Sequence, residues 1–157
     1  MNCKYCCNNI PEINKRFEYR KWEEIEWRKY HTVCITGGEP LLFSKKDLNA
    51  MVVDLKHNVT RGVSKKLYLY TNGLLLSKHN GLSYKLDGIN IGIHYKNQLK
   101  EILTEYKDLF NHPIRFDVED KYREEYLPNI PDNMVSVWSR NDCFNSIDIE
   151  DWIMLTK

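Results

Sequence analysis

The sequence lacks the features that mark membrane-spanning, secreted and nucleic-acid-binding proteins. No apolar run reaches the roughly 18 residues that a membrane-spanning helix needs, and the first residues contain no apolar segment typical of a signal peptide. The formal net charge is only +1, which gives no electrostatic reason to expect nucleic acid or an anionic membrane as a partner. We therefore expect a cytoplasmic protein with no membrane partner and no strong nucleic-acid signal.

The composition is that of a folded globular domain. Of the 157 residues, 42% are apolar and 29% are charged, and the ten tyrosines and four tryptophans argue against disorder. Neither internal repeats nor low-complexity linkers divide the chain, so its length predicts a single domain over residues 1–157. There are five cysteines, an odd number without a secretion signal, which favours reduced thiols or metal ligands over disulfides.

One stretch combines a strand pattern with a turn suited to ligand binding. Residues 32–42 read Thr-Val-Cys-Ile-Thr-Gly-Gly-Glu-Pro-Leu-Leu. Because β-branched residues favour strands, we predict a buried strand at 32–36. Gly37 and Gly38 can adopt positive φ and bring backbone close to a ligand, and the carboxylate of Glu39 follows them. The simpler interpretation is a strand that merely ends in a glycine turn, since short glycine motifs are common.

Strands and helices alternate along the rest of the chain. Apolar, β-branched runs that end in turn residues predict four further strands, at 66–71, 89–94, 114–118 and 134–138. Apolar residues at helical spacing predict helices at about 19–29, after a capping box at Ser44, and at 97–110. Residues 147–155 fit either a helix or a strand. This alternation predicts an α/β fold of parallel strands with right-handed crossovers.

The amino-terminal cysteines add a second motif. The chain begins Met-Asn-Cys-Lys-Tyr-Cys-Cys, and Cys3-x-x-Cys6 followed by Thr-Gly-Gly-Glu-Pro resembles the radical S-adenosylmethionine (SAM) superfamily. The signature of that family is C-x-x-x-C-x-x-C, in which Cys3 and Cys6 match the second and third cysteines. The first cysteine would lie upstream of Met1. We therefore expect Met1 to be an internal methionine of a longer reading frame, or the chain to be truncated.

The resemblance covers residues 1–118 and carries expectations about fold and function. It implies a partial (βα)6 barrel of parallel strands, lacking the first strand, which would precede Met1. It also implies a [4Fe–4S] cluster with Cys3 and Cys6 among its thiolate ligands, SAM as a second cofactor, and an electron donor such as flavodoxin or ferredoxin. The implied activity is reductive cleavage of SAM to a 5′-deoxyadenosyl radical, which abstracts hydrogen from a substrate that the sequence does not identify.

Cofactor-binding residues follow from the same resemblance. Thr36, Gly37, Gly38 and Glu39 would form the turn that receives the methionine end of SAM, mainly its ammonium group. Tyr5 would lie near the adenine. A carboxylate that pairs with an ammonium group is a strong, charge-assisted interaction, so the residue types suit this role.

Two further candidates end predicted strands. Asn72 lies in a Thr-Asn-Gly sequence and His94 ends the next strand, so both would reach the carboxyl edge of the sheet, where barrel active sites lie. The simpler interpretations are an Asn-Gly turn and a structural histidine. Weaker candidates stand at the ends of the last two predicted strands: Asp117, Glu119, Ser136 and Ser139. Trp22 and Trp27 are expected to pack rather than to stack on a cofactor.

Two alternatives to a radical SAM enzyme stay open. The chain could be a non-catalytic relic of the barrel that serves as a binding or interaction module. It could also be a small zinc-binding module that uses Cys3, Cys6 and Cys7, although zinc sites need further Cys or His ligands at suitable spacing. Cys34, within a predicted strand, and the remote Cys143 are poor partners for such a site.

Overall fold

A computed structural model describes most of the chain. The described residues are 11, 15, 18–60, 66–82, 85–107, 109–111, 113–138 and 153–155. The amino-terminal cysteine motif, with Cys3, Tyr5 and Cys6, lies outside them. The described part is an α/β fold with seven strands and three α-helices, connected by loops and short 3₁₀ turns.

Five strands form one parallel sheet, as the sequence predicts. They are β2 (Thr32–Ile35), β3 (Lys66–Thr71), β4 (Gly88–Ile93), β5 (Ile114–Glu119) and β6 (Val135–Trp138), and they neighbour one another in chain order. Each pair of neighbours is parallel. Every predicted strand agrees with an observed one to within one residue at each end. The carboxyl ends of all five strands therefore meet at one edge of the sheet.

The segment before this sheet differs from its prediction. The helix expected at 19–29 is wrong, because β1 (Glu18–Arg20) and two 3₁₀ turns, Trp22–Glu24 and Trp27–Lys29, occupy these residues. Strand β1 pairs in parallel with β7 (Ile153–Leu155) in a separate two-stranded sheet. Ile25, between the turns, is buried, and Trp22 and Trp27 pack against the core, so tertiary packing overrides the weak helical pattern.

Trp22 and Trp27 pack as expected. Their ring centroids lie 4.9 Å apart with the planes tilted by 50°, and both side chains lie against the edge of the hydrophobic core. Both side chains therefore pack within the protein, as large aromatic side chains mostly do.

Three α-helices connect or follow the sheet strands: α1 (Lys45–Thr60), α2 (Gln98–Glu105) and α3 (Arg123–Tyr126). Helix α1 begins at the predicted cap, where the Asp47 N–H donates to Ser44 Oγ at 3.1 Å. Helix α2 is shorter than the predicted 97–110, since a separate 3₁₀ turn occupies Leu109–Asn111. None of the helices in the described part of the chain is long and apolar enough to cross a membrane.

Alternation along the strands gives the sheet two unlike faces. On one face, side chains such as Leu69, Ile91 and Phe116 are fully buried, and they form one core with Leu48 of α1 and Ile102 of α2. The other face, which we call the polar face, is half-buried to exposed. Its side chains come from the alternate positions of four strands: Thr32, Cys34, Lys66, Tyr68, Tyr70, Asn90, Arg115, Asp117 and Glu119. The polar and ionisable side chains of the sheet therefore lie mainly on the polar face.

Candidate functional site

The loop of residues 36–39, here called the glycine loop, leaves β2 at the carboxyl edge of the sheet. Gly37 and Gly38 have φ of +85° and +63°, the left-handed region that side chains disfavour. A Cβ at either position would meet no atom within 4 Å, so backbone conformation, not lack of space, requires glycine here. Both residues are exposed, and so their backbone groups are accessible to a ligand.

Glu39 joins the glycine loop to the end of the next strand. Its side chain is only 6% exposed. Oε1 accepts hydrogen bonds from the Leu41 N–H at 3.1 Å and from the Thr71 hydroxyl at 2.6 Å, and Oε2 accepts one from the Asn72 N–H at 2.8 Å. A carboxylate offers about four acceptor positions, so these three protein donors leave one acceptor position on Oε2. Because Glu39 also caps the 3₁₀ turn Pro40–Leu42, the local sequence fixes its place.

Asn72 connects to the site through its backbone, and its side chain shapes the turn that follows. Oδ1 accepts from the Leu74 N–H at 3.0 Å, which makes an Asx turn at the Asn-Gly sequence. Gly73 follows with φ +79°, and a Cβ there would lie 2.9 Å from side-chain atoms of Ile91 and of Ile102. The turn therefore holds the Asn72 peptide tightly at the carboxyl edge.

Gln98, the first residue of α2, continues this network and was missed by sequence reasoning. Its side chain is completely buried. Nε2 donates to the carbonyl oxygens of Asn72 at 2.8 Å and Gly92 at 2.7 Å, while Oε1 accepts from the His94 N–H at 2.8 Å. A chain of hydrogen bonds therefore runs from Glu39 through the Asn72 peptide and Gln98 to His94, across the ends of three strands.

His94 follows β4 at the same edge and is half-buried. Burial lowers the pKa of its imidazole from the ordinary value. The negative charge of Glu119 acts to raise this pKa, and the positive charge of Lys121 acts to lower it. A lowered pKa keeps the ring neutral near pH 7. A neutral imidazole has one donor and one acceptor nitrogen, so it can form hydrogen bonds of either kind.

The polar face supplies ionisable groups next to this edge. In the strand register Gly92 lies opposite Asp117, which in turn lies opposite Ser136 on β6. Burial raises the pKa of Asp117 to about 6, although the nearby Arg115 acts to lower it. The weaker candidate Ser139 lies outside the described residues. Such a perturbed carboxyl group beside a polar edge is typical of functional sites, although structural groups can show the same behaviour.

His79 is a second buried polar residue that sequence reasoning does not single out. Its side chain is 6% exposed. Its Nε2–H donates to the Leu41 carbonyl at 2.9 Å, immediately after the glycine loop. The sequence offers no signal for this role, because the partner is a backbone carbonyl 38 residues away.

The structure brings together most of the predicted cofactor-binding residues. Thr36, Gly37, Gly38 and Glu39 form the loop, and hydrogen bonds link Glu39 to Asn72 and, through Gln98, to His94. Tyr5 and the predicted metal ligands Cys3 and Cys6 lie outside the described residues. Among the residues that are described, no three His, Cys, Asp or Glu side chains group as a metal site would require.

Comparison of this chain with protein-family models, with curated proteins and with solved structures finds no match.

Proposed function

We propose that this chain is a radical SAM enzyme, or a fragment of one, whose glycine loop receives the methionine end of SAM. One observation carries the proposal: Glu39, Asn72 and His94, chosen from three separate stretches of sequence, are joined by hydrogen bonds at the carboxyl edge of a parallel sheet. That edge is where ligands bind in open α/β sheets and in barrels. A partial (βα)6 barrel would place the polar face on its inside.

The described residues suit the amino-acid end of SAM. Gly37 and Gly38 expose their backbone groups. Glycine adopts their positive φ without strain, so the loop can present these groups to a ligand. Glu39 Oε2 has one protein donor and an acceptor position left over, which an ammonium group could occupy. Because the carboxylate is buried and already held by three donors, it would keep its orientation when a ligand arrives.

The cluster is argued from donor chemistry alone. Cys3 and Cys6 would be two of three thiolate ligands, which are the ligands that iron–sulfur clusters require. When bound, such a cluster supplies the electron that cleaves SAM to methionine and the 5′-deoxyadenosyl radical. An upstream segment would supply the third thiolate, and a flavodoxin or ferredoxin would deliver the electron.

The chain's own residues would then position and hold the substrate. His94 presents a neutral ring that can donate or accept one hydrogen bond. Asp117, with its raised pKa, can hold a proton at slightly acid pH. These groups lie on or beside the polar face, so the substrate we propose is one with polar groups rather than a purely apolar molecule.

The test uses the chain extended upstream to include the missing cysteine. After anaerobic reconstitution with iron and sulfide, we expect the broad visible absorbance of an iron–sulfur cluster and release of 5′-deoxyadenosine from SAM under reducing conditions. Cys3→Ala and Cys6→Ala should abolish both, whereas Cys143→Ala, a matched control outside the motif, should abolish neither. Absence of both signals in the unsubstituted protein would reject the proposal.

The same preparation separates the alternatives. SAM binding without cleavage or cluster would support a non-catalytic binding module. Stoichiometric zinc in metal analysis, lost with Cys3, Cys6 or Cys7, would support a zinc module.

A further inference from the structure

Gln98 occupies an unusual place for a polar side chain at the start of a helix. It is completely buried, and a buried amide is tolerated only when it is hydrogen-bonded. Both Nε2 hydrogens are used, by the Asn72 and Gly92 carbonyls, and Oε1 takes the His94 N–H. All three partners are backbone groups at the ends of β3 and β4. An apolar side chain of the same size would remove these three hydrogen bonds from half-buried backbone groups.

The partners of Gln98 belong to the candidate site and not to the general core. The backbone N–H of Asn72 donates to Glu39, and the backbone carbonyl of Asn72 accepts a hydrogen bond from Gln98. The Asn72 backbone therefore connects the glycine loop to α2. The His94 backbone is the far end of this chain. Gln98 therefore sets the distance between the glycine loop and His94.

Gly92 fixes the imidazole of His94 in a second way. It lies in β4, two residues before His94, which follows the strand. A Cβ at Gly92 would lie 2.6 Å from His94 Nε2 and 3.2 Å from its Cε1, so the ring covers the bare backbone of this glycine. The φ of Gly92 is not in the left-handed region, so the turn geometry does not require glycine. The absence of a side chain makes room for the ring.

We propose that Gln98 and Gly92 are positioning residues that fix the His94 imidazole and the Asn72 peptide relative to the glycine loop. As a statement about SAM or its substrate, the proposal rests on the proposed function; as a statement about His94 placement, it can be tested without any ligand. Neither residue contacts the ligand on this account. Each acts through the groups that it holds in place.

The ligand-free arm follows the His94 imidazole by NMR titration. Among the described residues, Glu119 at the end of β5 and Lys121 just after it act on the pKa of the ring, and Asp117 lies opposite Gly92. In Gln98→Met and in Gly92→Ala we expect the pKa of His94 to rise towards the ordinary value, because the ring leaves its buried position. Leu55→Ala, which removes a core side chain of α1 without touching the network, should leave the His94 titration unchanged.

The ligand arm measures SAM dissociation constants for the same variants of the upstream-extended protein. We expect Gln98→Met to weaken SAM binding by about tenfold, as loss of ordered hydrogen bonds at a site would. Leu55→Ala should bind SAM as the parent does. If Gln98→Met does not fold, Gln98→Asn, which keeps the amide but shortens its reach, takes its place.

The two arms fail separately. An unchanged His94 titration in folded Gln98 and Gly92 variants, or an equal change in Leu55→Ala, overturns the positioning inference. If the titrations shift as expected but no variant or parent binds SAM, the positioning of His94 stands and the proposed function fails.

Discussion

The two edges of the sheet treat acidic side chains differently. At the amino edge Asp87, just before β4, accepts the Leu67 N–H at 2.9 Å and pairs with Lys56 at 3.1 Å and Lys66 at 3.8 Å. Although burial acts to raise its pKa, the Leu67 N–H and the two lysines hold the pKa of Asp87 below the ordinary value. The fold therefore favours the charged form of this carboxyl group.

Towards the carboxyl edge the acidic groups are held differently from one another. The described donors to Glu39 are a hydroxyl and two backbone N–H groups, and Glu119 pairs with Lys121 at 2.8 Å, whereas burial raises the pKa of Asp117 to about 6 although Arg115 acts to lower it. At Asp117, unlike at Asp87, the fold therefore keeps a carboxyl group at some cost in stability. Such a cost is expected where residues are kept for function.

The largest expected effect is at Glu39. Glu39→Gln keeps the shape but turns an acceptor towards the Asn72 N–H into a donor, so we expect a loss of about 1–3 kcal/mol in the free energy of unfolding. The exposed Glu24→Gln, which also alters an acceptor of a backbone N–H, is the matched control and should cost less. Urea denaturation of the two variants measures the difference. Equal losses would show that the burial of Glu39 adds nothing to the cost of the substitution.

Asp117→Asn should raise the free energy of unfolding, whereas Glu39→Gln should lower it. The raised pKa means that the folded state holds the proton more tightly than the unfolded chain. The free energy of unfolding should therefore fall as pH rises from the ordinary value of 3.8 to about 6. Removing the charge should stabilise the protein at pH 7 by about 1–2 kcal/mol and remove this slope. Denaturation between pH 4 and 8 is the measurement (roughly the range the linkage spans). A destabilised Asp117→Asn at pH 7 would contradict the account.

Asp87→Asn should destabilise, although it removes the same kind of charge. Its lowered pKa contributes stability above the ordinary value of 3.8, and that contribution should disappear as pH falls through the lower pKa of the folded state. We expect a loss of about 1 kcal/mol at pH 7, smaller at high salt because the lysine pairs are screened. If Asp87→Asn and Asp117→Asn changed stability in the same direction, the contrast between the two edges would not hold.

The smallest expected effect is at the glycine loop. Gly37→Ala forces a side chain into the left-handed region at φ +85°, which should cost about 1 kcal/mol. Gly37→Asn should cost less because asparagine tolerates this conformation. Thermal unfolding of both variants tests this. Equal costs would mean that contacts, and not backbone conformation, select glycine.

The sheet could be predicted from sequence because its determinants are local. Apolar, β-branched runs that end at Gly37 and at Asn72-Gly73 mark both the strands and the edge where they finish. The helix predicted at 19–29 was wrong because Trp22 and Trp27 pack against a core that later elements of the chain form. The same limit explains why Gln98 and His79 were missed. Their partners are backbone carbonyls that only the assembled strands and loops bring within reach.

The site could be predicted only in outline. The glycine loop, Asn72 and His94 each follow a strand that the sequence predicts. They lie at one edge of the sheet because the strands are parallel. The network between them could not be predicted, because it depends on the carbonyl of Asn72 and on a buried amide from α2.

The most direct test of the central claim is NMR titration of the upstream-extended protein with SAM. The account predicts chemical-shift changes in the backbone amides of Gly37, Gly38 and Asn72 and in the imidazole of His94, with little change at Asp87 on the opposite edge. Binding of SAM that leaves the glycine loop unperturbed, or that shifts the amino edge instead, would contradict it.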